Sequence, residues 1–210
     1  AADHVAQLAD DVVPHYGIST GFGALASKRV PVEQRAILQH SLIRSHAAST
    51  GAEVEREVIR AMMLLRLKTM ASGHTGVRRE VVLGYAAMLN AGITPITGEY
   101  GSLGCSGDLA PLAHAALALT GEGIVRDKAG TQMPAAEALA AAGLEPITLR
   151  EKEGLALING TDGMLGQLIL ALTDLNTLVT TADLTTAMTV QALCGIDAVF
   201  APDLQALRPH

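Results

Sequence analysis

The sequence predicts a mainly α fold, and three observations carry that prediction. Six segments are predicted to be helical, three from apolar residues at a helical period and three from the placement of Pro or Gly near their ends, and four of the six stop close to a glycine. Hydrophobic residues make up 49% of the 210 residues but Phe, Trp and Tyr only 2%. Aliphatic side chains and Met must therefore fill the core, which suits close helix packing. No stretch alternates apolar and polar residues for long enough to predict a sheet.

Three helices are predicted in the first half of the chain. In each of them, apolar residues fall near positions i, i+3 and i+4, as on the buried face of a helix. The second segment ends before Gly73 and the third at Gly92, because glycine commonly follows the last turn of a helix. The predicted ranges are 33–48, 53–72 and 77–91.

Three further helices are predicted downstream. The helix at 108–120 carries Pro111 in its first turn, where the missing N–H of proline costs little. A short helix is predicted at 134–142 and a long one at 162–193. Residues 126–132 contain turn-forming residues, which predicts a turn or a small hairpin between the first two of these helices.

Composition and charge exclude several classes of partner. The net charge is −6 with no clustered basic face, which argues against nucleic-acid binding. Mean hydropathy is +0.31, yet no uninterrupted run reaches the roughly 18 apolar residues of a membrane span. We therefore expect no membrane partner and assign the surplus apolar surface to a subunit interface or to a missing partner segment. Cys105 and Cys194 give neither a disulfide framework nor a metal-binding spacing, which predicts a cytoplasmic protein without a metal.

Glycines cluster in two segments, 16–23 and 98–108, which are candidates for functional loops. Neither segment contains a GxxxxGK(S/T) or GxGxxG pattern and neither follows a predicted strand, so a phosphate-binding loop is excluded. Glycine content alone leaves open that both segments are flexible connections between helices.

Two small polar loops stand directly before predicted helices. Residues 105–108 introduce one helix, and residues 159–161 introduce the long one. Helix N-termini carry free N–H groups and roughly half a positive charge, so two of them can stabilise negative charge developing at one centre. Taken singly, Asp108, Thr161 and Asp162 are each predicted to be ordinary helix N-caps.

Four segments together resemble the aromatic amino-acid ammonia-lyase and aminomutase family. The stretch 101–114 resembles the family's signature and 16–23 its tyrosine loop, while 63–78 and 155–161 match two further family stretches. The likeness covers essentially the whole chain, and it implies the mainly α fold of that family.

The resemblance implies that Cys105, Ser106 and Gly107 build the family's prosthetic group from the backbone itself. The Gly107 nitrogen attacks the Cys105 carbonyl, two waters are lost, and Ser106 becomes the dehydroalanine of a methylidene-imidazolone ring. Glycine lets its nitrogen approach, and serine supplies a β-hydroxyl that can leave. No external cofactor is then needed. Cys105 stands where most members have Ala, and its side chain stays outside the ring.

The same resemblance assigns roles to residues around the ring. Tyr16 matches the base that removes the β-proton of the substrate, in a loop that closes over the active site with Gly23 in contact with the substrate. Asn159 matches the asparagine that hydrogen-bonds the ring. Asp108 matches the acid that assists cyclisation.

The pair Ser45-His46 indicates the substrate and is assigned to substrate binding. It matches the pair in histidine-specific members, whereas tyrosine- and phenylalanine-specific members carry His-Leu or Phe-Leu. We therefore expect L-histidine as substrate and trans-urocanate as product. A tyrosine or phenylalanine ammonia-lyase, or an aminomutase, stays open, because four positions depart from residues common in the family: Ser19, Gly98, Tyr100 and Asp162, the last in place of Gln.

Family chains are considerably longer and form homotetramers whose active sites combine three subunits. The resemblance therefore implies an N-terminal active-site domain at 1–160 and the start of the central helical bundle at 161–210, within one mainly helical region. Residues 1–13 lack the pattern of a secretory signal, and both ends of the sequence look internal to a longer chain. We expect the 210 residues alone to be inactive. A non-enzymatic helical assembly module is the third functional class left open.

Overall fold

The computed structural model describes residues 1–105 and 107–209, and helices dominate that part of the chain. All six predicted helices are confirmed, with boundaries shifted by only a few residues. Three short helices, α1, α7 and α9, were not predicted because they have too few turns to show a period, whereas α6, of similar length, was predicted from the Pro and Gly at its ends. The helices are α1 Ala2–Ala9, α2 Val32–His46, α3 Arg56–Ala71, α4 Arg79–Asn90, α5 Leu109–Leu119, α6 Ala135–Ala141, α7 Glu153–Ile158, α8 Asp162–Ala192 and α9 Pro202–Gln205.

Within the described part of the chain, five short strands form two small antiparallel sheets, so the expectation of a chain without a sheet is wrong. The strands are β1 Thr50–Glu53, β2 Thr94–Pro95, β3 Gly98–Tyr100, β4 Ile124–Arg126 and β5 Gln132–Pro134. One sheet pairs β1 with β3, and the other has the order β2-β4-β5. Each strand has two to four residues, too few for alternation to be visible in the sequence. The turn predicted at 126–132 is confirmed as the β4–β5 hairpin.

The hydrophobic core lies between α2, α3, α4, α5 and α7. Its largest fully buried side chains are aliphatic or Met, with Tyr85 as an aromatic exception. Helix α5 is buried on almost every side, and its alanines, including Ala113 and Ala116, let neighbouring helices approach closely. The N-terminus of α5, where the glycine-rich segment 98–108 ends, is therefore anchored in the core.

The chain divides into two compact units inside the long helix α8. The first unit is Ala1–Leu168, and the second begins at Ile169. The second unit contains the rest of α8, a 3-10 turn at Asp197–Phe200 and α9, and most of its side chains are exposed. The proposed boundary between residues 160 and 161 stays a prediction.

One helical stretch, Glu153–Ala192, is long and apolar enough to cross a membrane by length and composition alone. Its most apolar window has a mean hydropathy of 1.4 and is 33% buried in the protein. Core helices pass the same test, so this is weak evidence for a membrane span. No membrane span was predicted from the sequence, because that prediction required an uninterrupted run of apolar residues. A mean hydropathy is lowered only slightly by isolated polar residues, so this stretch passes a test based on the mean.

Candidate active site

The segment expected to form the ring connects β3 to the first turn of α5. Cys105 is exposed with a free thiol, and Ser106 lies outside the described residues. Gly107 has a φ of +80°, a left-handed backbone conformation that residues with a side chain rarely adopt. The backbone therefore requires glycine at the third position of the predicted ring.

Asp108 occupies the N-cap position of α5, but its side chain makes no capping hydrogen bond. The carboxylate is fully buried and turns back along the chain, where it accepts hydrogen bonds from Ser102 Oγ at 2.5 Å and Leu103 N at 2.8 Å. The prediction that Asp108 is an ordinary N-cap is therefore wrong. Its carboxylate instead joins, through these two hydrogen bonds, the two ends of the loop that contains the ring segment.

The first turns of α5 and α8 meet at Asp108, as expected from the two polar loops. Its backbone N donates to Gly160 O at 3.1 Å. A Cβ placed on Gly163, in the first turn of α8, would lie 3.5 Å from Asp108 Oδ2. Two helix N-termini, each with unpaired N–H groups, thus lie at one place in the fold.

Asn159 ends helix α7 with extended backbone angles and is exposed. Its side chain points at the ring segment, because a Cβ on Gly107 would stand 3.3 Å from Asn159 Oδ1. The structure therefore brings together two of the residues that the sequence assigned to the ring.

Arg66 and Asp162 form a buried ion pair beneath Asn159 that the sequence interpretation missed. Arg66 Nη2 lies 2.9 Å from Asp162 Oδ2, and both side chains are less than a tenth exposed. Burial raises the pKa of Asp162 above its ordinary value, and the charge of Arg66 opposes that rise. Asp162 is the first residue of α8 and not its N-cap. An arginine inside the otherwise apolar stretch 63–67 was the sequence signal that could have revealed this pair.

The tyrosine loop presents Tyr16 on the surface of a well-packed segment. Residues 17–21 are buried, whereas Tyr16 is 53% exposed. Its phenolic oxygen accepts a hydrogen bond from Gly23 N at 3.2 Å, and its ring packs edge-on against Phe22, with ring centroids 6.2 Å apart. Tyr16 and Gly23, both predicted to act on the substrate, are thus in direct contact. That the loop closes over a substrate stays a prediction.

The tyrosine loop also packs on the helix that carries Asn159. A Cβ on Gly17 would stand 2.9 Å from the Leu155 side chain of α7. Helix α7 therefore contacts the Tyr16 loop on one side and ends at Asn159, next to Gly107.

Ser45 and His46 lie at the C-terminal end of α2, where both side chains bond the backbone of their own helix. Ser45 Oγ donates to Leu42 O at 2.8 Å, and His46 Nδ1 lies 2.8 Å from the same oxygen. A carbonyl oxygen can only accept, so His46 Nδ1 carries a proton and the neutral ring has Nε2 as its acceptor. Among the described hydrogen bonds, none joins His46 to Tyr16, Gly107 or Asn159.

A second polar cluster missed by the sequence interpretation ties α5 to the loop after α2. His114 Nε2 receives hydrogen bonds from Ser49 Oγ at 2.8 Å and Ser49 N at 3.3 Å. Ser49 Oγ in turn accepts from Gly98 N at 2.8 Å, at the start of β3. Burial lowers the pKa of His114, which favours the neutral ring that can accept both bonds.

The sequence as a whole matches one known family. Residues 1–210 match the sequence model of the family described as aromatic amino acid lyase. The chain belongs to the aromatic amino acid lyase family. Two curated relatives are histidine ammonia-lyases: that of Streptomyces griseus is 63% identical over 203 residues, and that of Streptomyces coelicolor is 62% identical over 197 residues. These alignments cover 97% and 94% of this chain, but only 40% and 38% of the relatives.

Solved structures of lyase-family members share the fold. The crystal structure of histidine ammonia-lyase from Trypanosoma cruzi has a TM-score of 0.90 at 37% identity, and phenylalanine aminomutase from Pantoea agglomerans has 0.88 at 32%. Each structural alignment covers all of this chain and 40% of the solved chain. The mainly α fold predicted for this chain is thus the ammonia-lyase fold. The chain spans about 40% of the length of these relatives.

Proposed function

We propose that the full-length protein containing this chain is a histidine ammonia-lyase that converts L-histidine to trans-urocanate and ammonia. The observation that carries the proposal is the meeting of Gly107, Asp108 and Asn159 at the N-terminus of α5. The high identity to curated histidine ammonia-lyases supports histidine over other aromatic amino acids.

The described residues around 105–107 fit a methylidene-imidazolone formed from Cys105, Ser106 and Gly107. Gly107 has no side chain in a position where the backbone is left-handed and Asn159 Oδ1 is close by. When formed, the ring supplies an electrophilic carbon to which an amino group can add. Asn159 is placed to hydrogen-bond the ring. Asp108, held by Ser102 and Leu103, is placed to fix the loop during cyclisation.

Tyr16 would remove the β-proton of the substrate. Its phenolic oxygen already receives the Gly23 N–H, which orients the oxygen at the start of a 3-10 turn. The residue stands exposed at the edge of a buried loop, so it can approach a substrate without disturbing the core. Closure of the 16–23 loop would then exclude water from the reacting atoms.

His46 would recognise the substrate imidazole. With its Nδ1 proton donated to Leu42 O, the neutral His46 ring offers Nε2 as an acceptor for an imidazole N–H. A phenylalanine ring has no such donor. Ser45 supports this tautomer, since its hydroxyl lies 3.0 Å from His46 Nδ1.

The test is turnover by the purified full-length protein on L-histidine, L-tyrosine and L-phenylalanine, with Ser106→Ala as the inactive control. We expect urocanate from histidine and little product from the other two amino acids. The double substitution S45H/H46L, which installs the pair of tyrosine-specific members, should shift the preference toward tyrosine. Preferred release of coumarate or cinnamate by the wild-type protein would refute the assignment to histidine.

An aminomutase is the second candidate, because phenylalanine aminomutase from Pantoea agglomerans has the same fold over the whole chain. An aminomutase re-adds ammonia at the neighbouring carbon and so gives a β-amino acid. Chromatography of the reaction mixture separates the two, and a β-amino acid as main product would favour this candidate.

Assembly and location are also proposed. Helix α8 exposes a row of large apolar side chains, including Leu172, Leu175 and Leu178, which supports assembly of the full-length protein into a homotetramer. The location that we propose for it is the cytoplasm. Because the chain spans only about 40% of the length of its relatives, we propose that the 210 residues alone are inactive. Urocanate formation by the 210-residue chain would refute this last point. A full-length protein without turnover would instead indicate a non-enzymatic assembly role.

A further inference from the structure

Arg66 lies beneath the Asn159 turn and holds both helices that flank it. The side chain is buried, and its Nη1 donates to Ala156 O at 3.0 Å and Asn159 O at 2.8 Å. Its Nη2 lies 2.9 Å from Asp162 Oδ2. One guanidinium therefore bonds the last turn of α7 and pairs with the first residue of α8, and Asn159 stands between the two helices.

The turn at Asn159 and Gly160 packs closely against this ion pair. A Cβ at Gly160 would stand 2.6 Å from Arg66 Nη2 and even closer to Asp162 Oδ2, so no side chain fits there while the pair is formed. A buried ion pair contributes little net stability because both charges are desolvated, whereas removal of one partner leaves the other unpaired. A role in fixing geometry explains the pair better than a role in stability.

The turn is fixed from two sides at consecutive residues. Arg66 donates to Asn159 O, and Asp108 N donates to Gly160 O at 3.1 Å. Asn159 N also donates to Leu155 O at 3.0 Å, so hydrogen bonds hold the backbone before and after the Asn159 side chain and restrict where its carboxamide can lie. The carboxamide then lies next to Gly107 in the ring segment.

We propose that Arg66 is a positioning residue that sets the Asn159 carboxamide against the ring segment, with Asp162 as its counter-ion. This inference rests on the proposed function, because the Asn159 contact matters only if residues 105–107 carry the reaction. Loss of Arg66 would leave substrate binding largely intact and lower the rate of the chemical steps, since small misplacements of a catalytic group are costly.

The test compares Arg66→Gln, Arg66→Lys and Asp162→Asn in the full-length protein, with Arg56→Gln as the matched control. Arg56 lies on the same helix and also donates to backbone carbonyls, those of Gly92, Asp127 and Lys128, and none of its described hydrogen bonds reaches the Asn159 turn or the ring segment. Ring content is measured by intact mass, and kcat is expressed per ring-bearing subunit.

We expect Arg66→Gln to lower kcat per ring by about tenfold to a hundredfold while KM changes by less than about threefold. Arg66→Lys keeps the positive charge but not the fork of N–H donors, so its kcat per ring should lie between that of Arg66→Gln and that of the wild type. Arg56→Gln should lower the thermal midpoint and leave kcat unchanged.

Unchanged kcat per ring in Arg66→Gln would overturn the inference. If that variant does not fold, Arg66→Lys, which keeps a positive charge for Asp162 but loses the fork of donors, decides instead: an unchanged kcat per ring there has the same meaning. Asp162→Asn, which leaves both carbonyl bonds of Arg66 in place, should lower kcat per ring less than Arg66→Gln does. If the wild-type protein turns over none of the three amino acids, the proposed function is overturned instead. Failure of the inference about Arg66 and failure of the proposed function therefore give different results.

Discussion

Asn159 Oδ1 lies so close to Gly107 that a Cβ built on this glycine would stand 3.3 Å from it. Such a contact is tighter than most that real Cβ atoms make. The two residues belong to different loops, each of which introduces a helix. This contact is the most direct structural link between the predicted ring and a side chain predicted to bind it.

Gly107→Ala should abolish turnover through both strain and crowding. A left-handed φ costs a residue with a Cβ roughly 1–2 kcal/mol, and the new methyl group would press on Asn159 Oδ1. Gly130→Ala is the matched control, since Gly130 has a φ of +90° but nothing within 4 Å of a Cβ. Both variants should lose similar stability in thermal unfolding, and only Gly107→Ala should lose turnover. Equal activity of the two variants would argue against a special role for this contact.

Asp108→Asn should slow ring formation and lower stability. The buried carboxylate accepts from both Ser102 Oγ and Leu103 N, whereas an asparagine amide would accept only from Leu103 N and donate to Ser102 Oγ. Both bonds then become neutral hydrogen bonds, which are weaker than bonds to a carboxylate, so we expect a loss of about 1–2 kcal/mol. Thermal unfolding and the rate of water loss by intact mass measure the two effects. Asp127→Asn is the control, because Asp127 also accepts a backbone N–H, from Thr131, but at an exposed hairpin. A normal rate of ring formation in Asp108→Asn would contradict the role given to this carboxylate.

Tyr16→Phe should reduce kcat by about a hundredfold to ten-thousandfold, the contribution typical of a general base. Because the side chain is exposed, stability should stay within about 0.5 kcal/mol of the wild type. Tyr100→Phe serves as the control, since Tyr100 is also an exposed tyrosine, at 68%. Steady-state kinetics with saturating histidine gives the comparison, and equal kcat values for the two variants would rule out Tyr16 as the base.

His114 should make stability fall as the solution becomes acidic. Burial lowers the pKa of His114 below 6.5, so the unfolded chain takes up a proton at a higher pH than the folded chain does. The contribution of His114 to the free energy of unfolding is therefore fully present above about pH 6.5. Below that pH it decreases, by up to about 1.4 kcal/mol per pH unit, until the pH reaches the pKa of His114 in the folded protein. The protonated ring would also lose its bonds from Ser49.

Thermal midpoints between pH 8 and pH 5 test this prediction. His114→Gln should flatten the dependence, whereas His4→Gln, at an exposed histidine, should not. An unchanged acid slope in His114→Gln would show that other groups account for it.

Much of the fold was predictable because its information is local. The apolar spacing of α3 indicates which of its faces is buried, and glycines mark where α3 and α8 end, so both helices could be located from the sequence alone. The small sheets could not, because strands of two to four residues depend on partners distant in the chain. Helix α7 has six residues and was missed for the same lack of periodicity.

The sequence motifs named candidate site residues but not the residues that hold them in place. Tyr16 and Asn159 were named from family-like motifs, and the structure places Gly23 beside Tyr16 and Gly107 beside Asn159. The N-cap prediction for Asp108 failed because Ser102 and Leu103, earlier in the same loop, bond its carboxylate. The Arg66–Asp162 pair joins helices far apart in sequence, and only their packing brings the two charges together.

The intact mass of the full-length protein tests the central claim most directly, because ring closure at 105–107 removes two waters. We expect the wild-type protein to weigh two waters less than its sequence and Ser106→Ala to have its full sequence mass and no turnover. Full sequence mass in a wild-type preparation that converts histidine at a normal rate would contradict the account.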